Sequence, residues 1–181
     1  MALTVSSFGM IAGPAQAAEG DTTVRGVKIP AFYNPPSSLP AKNGALVRTE
    51  PMNLFVKVPT MNGPLPGKAT RVMFKSTDAV KKPVAVTGAY IEPTKKWTGK
   101  GSRPLVVVAS GTMGQGDQCA PTIGLETPLI LELKGDTISF GYEIISVYNL
   151  LNQGVGVMLT EYVGLGNTDR AHTYMNRVEQ A

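Results

Sequence analysis

Hydrophobic and polar positions fall into regular patterns only after about residue 68. Ala69 to Thr77 (ATRVMFKST) alternates in part, with Val72 and Phe74 on one face and Arg71, Met73 and Lys75 on the other. Pro83 to Pro93 (PVAVTGAYIEP) is rich in β-branched residues and stops at a proline. The intervening STDAVKKP supplies turn residues, so the two runs predict an antiparallel hairpin. Leu105 to Ala109 is a continuous apolar run, the pattern of a strand buried on both faces. Glu143 to Asn152 places Ile144, Val147, Tyr148 and Leu151 at i, i+3, i+4 and i+7, an amphipathic helix ended by Gly154. Val155 to Gly166 (VGVMLTEYVGLG) is a second buried strand running into a glycine loop. Asn167 or Thr168 then caps a last helix, with Ala171, Tyr174, Met175 and Val178 as its apolar stripe and no stop signal after it.

A hairpin followed twice by strand, loop and helix predicts an α/β fold whose inner strands are parallel. Two buried parallel strands do not close such a sheet, because both faces and the far edge need cover. Residues 69–181 are therefore expected to be the N-terminal part of a larger, mostly parallel sheet domain, incomplete at its C-terminal side. Residues 18–68 are rich in Pro, Gly, Asn and Ser, which predicts an extended arm wrapped around that core. Residues 1–17 are small and apolar and end in Ala15-Gln16-Ala17, an A-x-A cleavage pattern. They predict a secretory signal peptide, although no Lys or Arg precedes Arg25 to form a basic region. The competing expectation is a short buried N-terminal helix. Nothing else in the chain approaches the roughly 18 apolar residues of a membrane span.

Charge and composition narrow the picture. The chain is 43% hydrophobic and 17% charged, the balance of a folded globular chain. Its net charge of +4 comes mostly from residues 68–103, with nine Lys or Arg against Asp78 and Glu92. Aromatic residues are not interleaved with these charges, Trp97 apart, so solvated turns and strand edges explain them more simply than nucleic acid does. Export would place the single cysteine, Cys119, in an oxidising compartment, where an unpaired thiol is unusual.

The chemistry centres on the loop after the apolar run, VVVASGTMGQGDQCAP (Val106 to Pro121), with Gly111, Gly114 and Gly116 within six residues. It matches neither the dinucleotide nor the phosphate-loop fingerprint. Three readings stay open: an anion-binding nest of amides, an oxyanion hole at the end of a central strand, or a tight connecting turn. No serine sits in G-x-S-x-G, and His172 has no serine or carboxylate arranged around it as a base would need. One His, one Cys and scattered carboxylates do not make a metal site, and no cofactor motif is present.

Several segments together, in this order, resemble a known family: AFYNPP (31–36), GALVR (44–48), MFKSTDA (73–79), VTGAYIEP (86–93), RPLVVVASGTMGQGDQCAP (103–121) and TEYVGLG (160–166). They are similar to the secretory lipase family, the lipase A-like α/β-hydrolases. The resemblance covers nearly the whole chain after residue 30, and GTxGxGDxCAP is its most specific part. It implies a secreted carboxylic-ester hydrolase acting on lipids or small esters, with oxyanion-hole amides at Thr112 and Met113. By the same resemblance Gly111 and Tyr162 border the substrate, Asp117 orients the loop, and Cys119 bridges to a cysteine further along. The Glu161–Tyr162 loop is expected to line the active-site side of the sheet, although family members more often carry Asp where Glu161 stands. The family's serine elbow, acid and histidine match no position here, so the resemblance implies an N-terminal portion that is inactive alone. A different class of protein remains the alternative: a small secreted binding protein that uses the basic segment 68–103.

Overall fold

The structure is a computed structural model that describes residues 20–24, 27–54, 64–111, 116–126 and 143–167. The expected signal peptide, the loop residues Thr112 to Gln115 and His172 lie outside the described residues.

The sequence hairpin forms as expected. β4 (Gly67–Thr77) and β5 (Pro83–Pro93) pair antiparallel over eleven unbroken positions. Asp78 sets their turn by accepting hydrogen bonds from the amides of Val80 (3.0 Å) and Lys82 (2.8 Å) on one carboxylate oxygen. Before this hairpin, β1 (Thr22–Val24) and β2 (Val27–Ile29) make a separate two-stranded sheet. β3 (Leu46–Met52) lies within the Pro- and Gly-rich arm and pairs antiparallel with β4, so the arm contributes a strand to the main sheet.

β6 (Leu105–Ala109) is joined to β7 (Gly156–Thr160) through α1 (Pro121–Glu126) and α2 (Glu143–Asn152). β6 and β7 are parallel, and β7 is antiparallel to β5. The sheet order is β3-β4-β5-β7-β6, which leaves β6 on an edge among the described strands. α2 has the bounds that its periodicity predicts. It closes with the amide of Gly154 on Leu151 O and that of Val155 on Leu150 O, both at 3.0 Å. Gly154 has φ +78°, a left-handed conformation that glycine adopts without strain, and this is why the helix stops there.

The core lies on one face of the sheet. Ala69, Ala89, Ile91, Val157 and Leu159 project there and pack against Val147 and Leu151 of α2 and Leu125 of α1. Beside them Phe32 and Tyr33, from a 3-10 turn over Ala31–Tyr33, pack with Ile29 on Met73 and Ala85. Each fully buried Leu, Ile or Val contributes about 1.5–3 kcal/mol relative to exposure.

The alternation within β4 is present. The face carrying Arg71, Met73 and Lys75 is the covered one. Met73 is fully buried, and the two cations are buried because each finds a partner. Arg71 pairs with Glu50 on β3 and Glu126 on α1, and its guanidinium lies 5.2 Å from the ring centres of both Phe32 and Tyr33. Lys75 donates to Asn43 Oδ1. The expectation that β6 is buried on both faces is corrected: Leu105 and Val107 are 57% and 60% exposed. Its inward residues Val106 and Val108 are half-buried, because α2 and α1 cover one face only.

Candidate functional site

The parallel strands β6 and β7 end side by side, and residues just past both ends meet. In open α/β sheets such C-terminal strand ends are where ligands bind. Ser110 and Gly111 follow β6; Glu161 and Tyr162 follow β7.

The peptide unit between Ser110 and Gly111 is held at both of its polar atoms. The Tyr162 hydroxyl donates to Ser110 O, and the Gly111 amide donates to Glu143 Oε1 at 2.5 Å. Gly111 and Tyr162, the two residues expected to border substrate, are thus brought together. The Gly111 amide shows what this loop can do chemically, since it holds a carboxylate oxygen. Thr112 and Met113, the expected oxyanion donors, lie outside the described residues. Asp117 is buried in a 3-10 turn over Asp117–Cys119, and the Cys119 thiol is half-buried and free.

Glu161 does not line an open surface. It is only 5% exposed, and its Oε1 accepts from the Thr122 amide at 2.8 Å and from the Thr122 hydroxyl. The Thr122 proton is committed there, so the Tyr33 hydroxyl donates to Thr122 Oγ1, at 2.7 Å. Burial pushes the Glu161 carboxyl up to about 7, while the two Thr122 hydrogen bonds pull it the other way. The Tyr33 phenol is raised, first by its own burial and then by Glu161. Among the described residues no group of three or more His, Cys, Asp or Glu stands together to hold a metal ion. No helix among them is long and apolar enough to cross a membrane.

Sequence reasoning did not find Glu143 or Thr122. Glu143 reads as an ordinary acidic residue in a first helical turn, and its partner is 32 residues away. Thr122 reads as a hydroxyl in a short loop, and its carboxylate is 39 residues away.

The basic segment divides. Arg71 and Lys75 are buried and partnered, and Arg103 pairs with Glu92 at 3.1 Å. Lys81 and Lys82 sit at the β4–β5 turn, whereas Lys95, Lys96 and Lys100 follow the far end of β5. An eleven-residue strand separates the two groups by roughly 33 Å. The segment therefore does not form one continuous basic surface.

No family model matches the chain, and no curated protein matches it in sequence. Solved structures do match in fold. Two structures of lipase A from Candida antarctica, one of them in its closed state, superpose with TM-scores of 0.57 and 0.55, both at 17% identity. In each case the match covers 72% of this chain and 28% of the lipase, so the chain spans about a quarter of that protein's length. Over its matched part the chain has a lipase-like fold, a five-stranded mixed sheet with helices.

Proposed function

We propose that this chain is the N-terminal part of a secreted carboxylic-ester hydrolase of the lipase type, and that it carries the oxyanion-hole side of the site. The observation that carries the reading is the Gly111 amide on a carboxylate oxygen, at the end of β6, in a chain whose fold is lipase-like. An amide placed to hold one carboxylate oxygen is placed to hold the oxygen of a tetrahedral acyl intermediate. Glu143 must give way, or the next amides, those of Thr112 and Met113, must take the role.

In this reading a serine oxygen attacks the ester carbonyl, and the carbonyl oxygen becomes an oxyanion held by loop amides. Each such donor is worth about 3–4 kcal/mol of transition-state stabilisation. Tyr162 holds the Ser110 carbonyl and so fixes the Ser110–Gly111 peptide whose amide meets Glu143. The substrate is a lipid or a small ester. The serine, its base and its acid belong to polypeptide beyond the segment described here. No serine in this sequence lies in G-x-S-x-G.

The test begins with the DNA that follows the codon for Ala181. A G-x-S-x-G within a few dozen codons is expected. The protein encoded through it should hydrolyse p-nitrophenyl butyrate or a triacylglycerol emulsion, and substituting the elbow serine should abolish that. Absence of such a codon run in every frame, or an encoded protein inert on both substrates, rejects the proposal.

A further inference from the structure

The strongest feature that the proposed chemistry leaves unused is the buried cluster of Glu161, Thr122, Tyr33 and Thr87. Glu161 continues the ladder past the end of β7, where its amide donates to Thr87 O on β5 at 2.9 Å. The two residues are therefore opposite one another, and their side chains share the covered face. Glu161 Oε1 takes both hydrogen bonds from Thr122, while Glu161 Oε2 and Thr87 Oγ1 are both buried without a partner. Thr87 is 1% exposed and Thr122 fully buried.

The charges around this cluster do not favour a second anion. The arm brings Tyr33, whose hydroxyl donates to Thr122. β4 brings Arg71, and each of its terminal nitrogens is already taken, one by Glu50 of β3 and the other by Glu126 of α1. The segment that carries Thr122 also carries Asp117 and Cys119. An ionised Glu161 would thus be buried with one oxygen unpartnered and no cation bonded to it. A neutral Glu161 has no such cost. It keeps Oε1 as acceptor for Thr122 and carries its proton on the buried, partnerless Oε2 without a net charge.

We propose that Glu161 is a proton-dependent latch: as a neutral acid it fastens the Thr122 segment to the end of β7, and as a carboxylate it releases that segment. Release requires only loss of the Oε2 proton to solvent, followed by hydration of the carboxylate and separation from Thr122. The freed segment is the one that follows the glycine loop and carries Asp117 and Cys119. The sign follows from the raised acid. The latched form holds its proton up to about pH 7, whereas an open, hydrated carboxyl holds it only to about 4.5. The latch is fully present below pH 4.5, weakens as pH rises from 4.5 to 7, and stays weak above.

The test reads the Thr122 amide itself, by hydrogen exchange in the intact chain followed by NMR and corrected for the intrinsic effect of pH. The wild-type protection factor should fall by up to about tenfold per pH unit between pH 4.5 and 7. Glu161→Gln keeps an acceptor for Thr122 without a titrating group, so its protection should stay flat over that range. A second measurement does not depend on the variant folding: the 13C shift of the Glu161 side-chain carboxyl in the wild type. A midpoint near 7 is expected. A midpoint near 4.5, or a Thr122 protection that falls equally in wild type and Glu161→Gln, overturns the proposal.

Discussion

The two faces of one sheet have been treated differently. On one, α2, α1 and the N-terminal arm bury Ala69, Met73, Ala89, Ile91, Val157 and Leu159, along with two cations that are matched by partners. On the other, Leu46, Val72, Phe74, Tyr90, Val107 and Met158 line a shallow apolar groove of about 500 Å³. Among the described residues, Val163 packs over the end of this second face, on Val84, Val86 and Phe74. The apolar residues of the two faces are of similar kind, so hydrophobicity does not distinguish them. The difference lies in the polar residues. The covered face holds Arg71, Lys75, Thr87 and Glu161, whereas the groove itself is lined by no charged side chain, only threonines and Tyr90 at its polar positions. Polar groups are fixed in place where packing is complete, because there an unmatched one costs most.

That contrast predicts very unequal sensitivities, the largest on the covered face. Leu151 of α2 is fully buried against β5 and β7. Leu151→Ala should destabilise the chain by about 2–5 kcal/mol, read as a lower midpoint in urea at unchanged slope. A loss under about 1 kcal/mol would mean that α2 does not hold this face, and the comparison would fail at its root.

Arg71 is the next test, because it decides whether the buried charges matter or are passengers. Its guanidinium is 5% exposed, while the carboxylates it joins are 43% and 27% exposed. Water can therefore take over Glu50 and Glu126 when Arg71 is replaced, and Arg71→Met should cost only about 1–3 kcal/mol. Removing both carboxylates together, as Glu50→Gln with Glu126→Gln, strands the buried cation and should cost more. Denaturation of both variants at one pH checks the order. The reverse order would show that the guanidinium is held by Phe32 and Tyr33 rather than by its ion pairs.

The elements were legible where a local period controls them. The β4–β5 hairpin and α2 follow from alternation and from the i, i+3, i+4 spacing, and Gly154 marks the end of α2, where φ is positive and a Cβ would lie 2.6 Å from Lys96 O. β3 was hidden, since its residues, LVRTEPM, include a proline and two charges. It is a strand because β4 offers it an edge and Arg71 offers Glu50 a partner. The burial of Arg71 and Lys75 was hidden for the same reason: both look solvent-facing until their partners, 21 and 32 residues away, are in place. At the candidate site, Gly111 and Tyr162 were legible as loop residues past strand ends. Their link through Ser110 O, and the carboxylate of Glu143 on the Gly111 amide, depend on long-range closure that no local pattern encodes.

The smallest expected effect is also the most direct probe of the grooved face. Val107 is at the centre of β6, on the edge of the sheet, with its side chain on the groove. Because it is 60% exposed, it has little transfer energy to lose. Val107→Lys should change stability by no more than about 0.5 kcal/mol. The same substitution should reduce self-association, since a lysine on an edge strand discourages pairing with another chain and breaks the apolar patch. Size-exclusion chromatography with light scattering at several concentrations reads the second effect, and urea denaturation reads the first. If Val107→Lys destabilises as strongly as Leu151→Ala, something covers the groove in solution, and the two faces are alike after all. If stability is unchanged and association falls, the groove is an open apolar face of the sheet, unlike the face that α2 and α1 cover.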